Sequence, residues 1–357
     1  VSDDVPPDDE VVTEDFAMPV GWRSPHLQSI RSRVVPRQWR LDDVSTEEDL
    51  LIDMHDGSMD RLAAWVHTPL DPRPGRPLVL LVHGLGGSAE SSYVRASARG
   101  LLRLGFPVAR VDLRGAGRSG EHSQGLYHAG RTDDLRDVLH QLAPSSEDGL
   151  ALMGFSLGAN ATLKLAGEPL DGIDLRRAVA VSPPLDLVAG SDHLRSMLFG
   201  RYEYFILNGI REDLARPGPT AGLSQEEREM VAQVRSLREF DDIITARRNG
   251  WADAMEYYEV NSSIAFLPRI ALPTLIIHAL DDPLIPAGPY REVDWAGIEA
   301  KGHVQRAITR HGGHVGFHQR GRVYPWYVAR AARFLLEPDP DPDQVTPRPE
   351  PVPSTSG

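Results

Sequence analysis

Short, nearly continuous apolar runs recur along the chain at residues 77–82 (PLVLLV), 108–113, 150–153, 178–181 and 274–279. Such runs read as strands covered on both faces, because a strand with one wet face would alternate apolar and polar positions. Helical spacing fills the gaps between the earlier runs. Val94, Ala98, Leu101, Leu102 and Leu104 fall within residues 91–104, and residues 132–142 and 159–165 are also helix-like. Strands alternating with helices predict a parallel sheet wound by right-handed crossovers. Ahead of them, residues 46–54 and 59–66 alternate loosely around the turn-forming His55-Asp56-Gly57-Ser58 and predict a hairpin. A last strand is expected at 306–310 and an amphipathic closing helix at 323–336.

The rhythm breaks over residues 188–267, which lack strand alternation and are rich in Glu, Arg, Leu, Tyr and Ala. A helical insertion is expected there, lying over the carboxyl edge of the sheet, where open α/β folds bind ligands, and serving as a cap. Within it Met197, Leu198, Phe199, Tyr202, Tyr204 and Phe205 form an apolar and aromatic cluster. That cluster suits either an acyl site or the cap's own core. The ends are different in character. Residues 1–15 mix Asp, Glu and Pro, and residues 337–357 alternate Pro with acids, so neither offers enough apolar surface to offset the entropy of ordering. Both are expected to be disordered, leaving a folded region at 16–336.

Composition narrows the partners. A hydrophobic fraction of 41% over 357 residues supports a substantial core, and a net charge of −13 disfavours nucleic acid and anionic membrane. The chain has no cysteine, hence no disulfide framework, thiolate nucleophile or Cys-ligated metal. That fits a reducing, cytoplasmic setting. The acidic start has no signal-like apolar region, and no apolar stretch approaches the ~20 residues that span a bilayer. Peripheral membrane contact and oligomeric state stay open.

The chemistry centres on Gly154-Phe155-Ser156-Leu157-Gly158, set between a strand-like and a helix-like run. A tight strand–turn–helix lifts a serine hydroxyl clear of the sheet, and the flanking glycines give that turn room. Ser156 is therefore the expected nucleophile. Downstream come Asp282, after a strand-like run, and His314, in a Gly-rich loop. Ser, acid, His is the chain order of the α/β-hydrolase triad. Asp282 is preferred over Asp281 because Pro283 holds it in an extended or turn conformation. Two backbone N–H groups are expected to form an oxyanion hole. One is that of Leu85, in the His83-Gly84-Leu85-Gly86-Gly87 turn, and the other is that of Leu157 at the start of the helix. His83 itself reads as structural.

Two competing motifs weaken on inspection. Gly115-Ala116-Gly117-Arg118-Ser119-Gly120 fits the dinucleotide fingerprint, but no helix opens at its glycines to receive a pyrophosphate. His311, His314 and His318 could suggest metal ligands, yet a loop loosened by Gly312, Gly313 and Gly316 is a poor platform for a zinc site. Neither a cofactor nor a metal is called for.

The segments GFSLGAN, HGLGGSAES, DLRGAG, YHAGRTDDL, HALDDP and GGHVGF together resemble the YheT-like α/β-hydrolases, relatives of a group of eukaryotic abhydrolase-domain proteins. Pro25-His26-Leu27-Gln28-Ser29-Ile30 is similar to that family's HLQT segment, with Ser29 where Thr is usual, and Phe240-Asp241, Thr245-Ala246 and Tyr257-Tyr258 resemble its cap region. The resemblance implies an α/β-hydrolase fold: a mostly parallel central sheet flanked by helices, with a helical cap. It also implies hydrolysis of carboxylic esters, in some members medium- or long-chain acyl lipids, with Ser156, Asp282 and His314 as nucleophile, acid and base. The Tyr127–Asp133 block matches the family without a role that its residues reveal. An acyltransferase or thioesterase would use the same triad. A binding protein on a disused scaffold would not need all three residues intact.

Overall fold

The computed structural model describes residues 11–215 and 223–338. Its centre is an eight-stranded sheet in the order β1-β2-β4-β3-β5-β6-β7-β8. The strands are β1 (Ser45–Asp53), β2 (Arg61–Pro69), β3 (Leu78–Val82), β4 (Val108–Val111), β5 (Leu150–Phe155), β6 (Leu175–Val181), β7 (Thr274–Ala279) and β8 (Val304–Thr309). The β1–β2 hairpin joins β4 antiparallel, and every other pairing is parallel. The expected hairpin, parallel core and last strand are all present, with ends shifted by a few residues.

Successive side chains of a strand leave on opposite faces, so an unbroken apolar run feeds two cores at once. Leu78, Leu80 and Val82 of β3 enter one core, shared with helices α3 (Thr132–Leu142) and α4 (Leu157–Ala166). Val79 and Leu81 enter the other, against α2 (Ser92–Leu102) and α9 (Trp326–Leu335). The first helix in the described chain, α1 (Pro25–Val34), precedes the sheet. The closing helix starts at Trp326, not 323, because Pro325 sits at its N-cap.

Between β6 and β7 the described residues are helical: α5 (Leu187–Ser196), α6 (Arg201–Ala215), α7 (Gln225–Gln233), a π-turn at Asp241–Ala246 and α8 (Ala254–Asn261). Leu207, Ile210 and Leu214 form the inner stripe of α6 and join Val231, Phe240 and Ile244 in a small core of their own. Leu85 and Leu126 of the sheet domain pack against it. The helical segment therefore sits on the loop after β3.

Residues 1–10 and 339–357 of the two expected tails lie outside the described residues. Residues 11–15, expected to belong to a disordered arm, instead lie along β8. The Thr13 N–H donates to the Ile308 carbonyl at 2.9 Å, Glu14 pairs with Arg330 at 2.7 Å, and Val11 is buried. An edge strand carries unpaired backbone groups, and this short segment satisfies some of them.

Candidate active site

The turn from β5 into α4 holds Ser156 at φ 53°, ψ −120°, a left-handed conformation unfavourable for a residue with a Cβ. Its N–H donates to the Val181 carbonyl on β6 at 2.9 Å, which pins the turn to the sheet. The glycines around it are obligatory. A Cβ on Gly154 would strike the Gly158 carbonyl and the Thr162 hydroxyl, and one on Gly158 would strike the His83 and Val82 carbonyls. A Cβ on Gly84 would come within 2.9 Å of the Ser156 Cβ, so the loop after β3 passes directly beside the serine.

The three residues singled out from the sequence meet at this point. His314 Nε2 lies 2.9 Å from Ser156 Oγ, and His314 Nδ1 lies 2.8 Å from Asp282 Oδ2. The Asp282 side chain is fully buried, and its Oδ1 accepts the N–H groups of Leu284 and Ile285 at 2.8 and 3.1 Å. Burial pushes this carboxyl up, but the His314 charge and hydrogen bond, with His278 and the Leu284 N–H, hold it below the usual range. It stays ionised and fixes the imidazole with its proton on Nδ1, which leaves Nε2 to accept from the serine.

Asp281 has a separate task. Its Oδ1 accepts the N–H groups of Gly312 and Gly313, both at 2.9 Å, and its Oδ2 lies 3.1 Å from His311 Nδ1. His311, His314 and His318 are drawn to different partners: Asp281, the Ser156–Asp282 pair, and a half-buried place beside Arg31. Among the described residues no three His, Asp or Glu side chains gather to hold a metal ion.

Two tyrosines shape the loop after β3. The Gly84 N–H donates to Tyr93 Oη at 3.0 Å and the Gly86 N–H to Tyr127 Oη at 2.7 Å. The N–H between them, on Leu85, has no acceptor among the described residues. The Leu157 N–H lies in the first turn of α4, where helix donors lack an intrahelical partner and the positive end of the dipole adds to their pull. His83 is structural, as read. Its Nδ1 donates to the Gly84 carbonyl at 2.8 Å, and its Nε2 accepts the Leu113 N–H at 3.0 Å.

The remaining motifs find work in the scaffold. In the Gly115–Gly120 loop the backbone wraps a carboxylate of its own chain, since Asp112 accepts the N–H groups of Ala89 and Arg118 at 2.6 and 2.7 Å. A Cβ on Gly117 would collide with that carboxylate, which explains the glycine without a nucleotide. The Tyr127–Asp133 block acts as a junction. Besides Tyr127, the Ala129 N–H donates to Tyr257 Oη of α8 at 3.0 Å, and the Ala129 carbonyl accepts from Asn160 of α4 at 3.0 Å. The charged residue that matters follows the block: Asp134, buried and bidentate to Arg114 at 2.7 and 3.0 Å, whereas Asp133 faces solvent. Burial, with the Arg131 and Lys164 charges, pulls the His128 imidazole down to about 3, so it is neutral.

A cavity of about 460 Å³ opens beside the Leu85 loop, under the helical segment. Leu85, Leu126, Ile210, Leu214, Phe240 and Ile244 make an apolar wall, and the opposite side is polar, with Arg114, Asn249 and His128. Of the aromatic cluster expected to line an acyl site or a cap core, Tyr204 and Phe205 face mainly outward. They are 64% and 60% exposed, because the buried stripe of α6 runs through Glu203, Leu207, Ile210 and Leu214. Tyr202 turns instead to α1, its hydroxyl 2.6 Å from His26 Nδ1. The side chains of Leu198 and Phe199 lie outside those described.

Functional side chains at the carboxyl ends of a parallel sheet, under a helical segment, are what this architecture delivers, and the chain belongs to the α/β-hydrolase fold family, whose profile matches residues 77–320. Within that family it is YheT-like. It is 32% identical over 299 residues to YheT of Escherichia coli (strain K12), covering 83% of this chain and 85% of that protein. It is also similar to the monoacylglycerol lipase of Saccharomyces cerevisiae, 28% identical over 281 residues, which are 75% of this chain and 62% of the yeast protein. Among solved structures, the esterase Pf2001 of Pyrococcus furiosus superposes with a TM-score of 0.57 at 18% identity, over 90% of this chain and 97% of that one. That last likeness concerns the fold alone.

Proposed function

We propose that this chain is a serine hydrolase of carboxylic esters that works through an acyl-enzyme on Ser156. The observation that carries the reading is the relay Ser156 Oγ, His314 Nε2, His314 Nδ1, Asp282, with steps of 2.9 and 2.8 Å. Ser156 Oγ attacks the acyl carbonyl while its proton passes to His314 Nε2. The carbonyl oxygen becomes an oxyanion, held by the N–H groups of Leu85 and Leu157, each such donor being worth ~3 kcal/mol at the transition state. Collapse breaks the ester C–O bond, and the alcohol leaves with the proton from His314. Water then attacks the acyl-enzyme with His314 again as base, returning Ser156 and releasing the acid. Asp282 keeps the imidazole in register and balances its charge, without itself taking the proton.

The substrate we assign is an ester with an apolar acyl chain. Support comes from the cavity beside the Leu85 loop, which has one apolar wall and lies within the usual ~300–1,000 Å³ of ligand pockets. Further support comes from relatives named as a monoacylglycerol lipase and as a medium-chain fatty acid ethyl ester synthase/esterase. A fluorophosphonate probe tests the nucleophile. The native chain should be labelled and Ser156→Ala should not, with hydrolysis of p-nitrophenyl esters falling by several orders of magnitude. Persistent labelling in the mutant would falsify the assignment. The same panel, run from short to long acyl chains, reads the preference, and Ile244→Trp should shift it toward shorter chains by narrowing the cavity.

A further inference from the structure

We propose that Gln28 and Ser29, on helix α1, are positioning residues for His314. Helix α1 lies outside the stretch matched by the family profile, which begins at residue 77. It nevertheless holds the histidine loop at two points. The Ser29 hydroxyl accepts the backbone N–H of His314 at 2.8 Å and donates to the Pro25 carbonyl at 2.8 Å, so its direction is set from both sides. Gln28 is completely buried and grips the far end of the same loop. Its Oε1 accepts the His318 N–H at 2.7 Å, and its Nε2 donates to the carbonyls of His318 and Trp22 at 3.2 and 2.8 Å.

Backbone meets backbone between these two grips. A Cβ on Gly313 would strike the Pro25 carbonyl, and one on Gly316 would lie 2.6 Å from the Gln28 carbonyl. The loop glycines that looked like a source of mobility are thus spaces into which α1 fits.

The loop needs such a grip. Gly313, Val315 and Phe317 have φ of 61°, 52° and 45°, and neither a β-branched nor an aromatic side chain adopts that region readily. Left to itself, a segment with Val and Phe in left-handed conformations would relax and carry the His314 Cα away from Ser156. On the sheet side Asp281 accepts the N–H groups of Gly312 and Gly313, both at 2.9 Å, and the Ser182 hydroxyl accepts the Val315 N–H at 3.2 Å, while the backbone N–H of His314 goes to Ser29. Asp282 fixes the tilt of the imidazole, and α1 fixes where the imidazole starts from. An error in that starting point lengthens the 2.9 Å step to Ser156, and small misplacements of a base are costly in rate.

The inference rests on the reading of His314 as the base, so the experiment begins with the full chain and Ser156→Ala as controls for labelling by the fluorophosphonate. Ser29→Ala removes the acceptor for the His314 N–H, Ser29→Thr keeps a hydroxyl there, and Gln28→Glu keeps one oxygen but loses the amide donor. Kinetics on a p-nitrophenyl ester, labelling rate and thermal unfolding are measured for each. Ser29→Ala should lower kcat about ten- to a hundredfold, slow labelling in parallel, and leave KM and the melting temperature near the native values. Ser29→Thr should restore the rate, and Gln28→Glu should lower kcat in the same sense.

Native kcat in both Ser29→Ala and Gln28→Glu would overturn the proposal while leaving the hydrolase reading intact. So would a loss that appears only in KM, or one that Thr does not rescue. If Ser29→Ala does not fold, Gln28→Glu decides by the same criteria. Failure of the labelling controls overturns both readings together.

Discussion

Asp281 and Asp282 lie in the turn after β7, which the Asp282 N–H closes on the Ala279 carbonyl at 3.0 Å, and the two carboxylates take up different work. Asp282 turns inward to His314, while Asp281 ties down the glycines before it. Asp282→Asn should therefore reduce kcat by about 10³–10⁴, because an amide can favour the wrong imidazole tautomer. Asp281→Asn should cost roughly tenfold, by loosening the loop. Steady-state kinetics on one ester separates them, and equal losses would contradict the division. Tyr127→Phe frees the Gly86 N–H and with it the Leu85 turn, so kcat should drop about tenfold with KM little changed. The Asp282 carboxyl is held below its usual value, so the stability it contributes is present above pH 3.8 and is lost as pH falls through its lower folded value. Ser156, Asp282 and His314 were legible in the sequence because strand, turn and order constrain them. Gln28, Ser29 and Tyr127 stood in quoted motifs but carried no local signal, since their partners lie far along the chain.

At the scale of elements, strands were easiest to read. A strand buried on both faces has to be apolar throughout, and PLVLLV can hardly be anything else. The helical segment between β6 and β7 was recognisable by the loss of that pattern, but not its inner face. Aromatic residues drew attention to Tyr204 and Phe205, whereas the stripe that packs runs through Leu207, Ile210 and Leu214. One half-buried acid makes this segment sensitive to pH. Burial pushes the Asp241 carboxyl up to about 6, against hydrogen bonds from Tyr258 and Thr245. The folded state then holds a proton that the unfolded state has released, so stability falls as pH rises from 3.8 to about 6. The total is on the order of 3 kcal/mol. Asp241→Asn should flatten that slope, which denaturant unfolding at a series of pH values would detect. An unchanged slope in the variant would show that Asp241 is not its source.

Across the whole molecule, the site draws on parts that are remote in sequence. Ser156 follows β5, Asp282 follows β7, His314 follows β8, and the Leu85 loop follows β3. No local stretch can present the relay until the sheet is in order. In refolding from urea, ester hydrolysis should return no earlier than tryptophan fluorescence, and activity that came back first would show that the site forms without the sheet. Long-range closure also explains what sequence could not reveal. The edge contact of Thr13 with Ile308 and the Arg114–Asp134 pair depend on who meets whom after folding, and apolar patterning is silent on that.

The hydrogen bond from the His314 N–H to Ser29 spans 285 residues of chain. On a ribosome, α1 emerges early and the loop it grips emerges late. At ~5–20 residues per second, the interval is on the order of 15 to 60 s. Through that time Gln28, completely buried in the finished protein, has no pocket to occupy, and the exposed helix must avoid other partners. The histidine loop then meets a helix that was synthesised 285 residues before it.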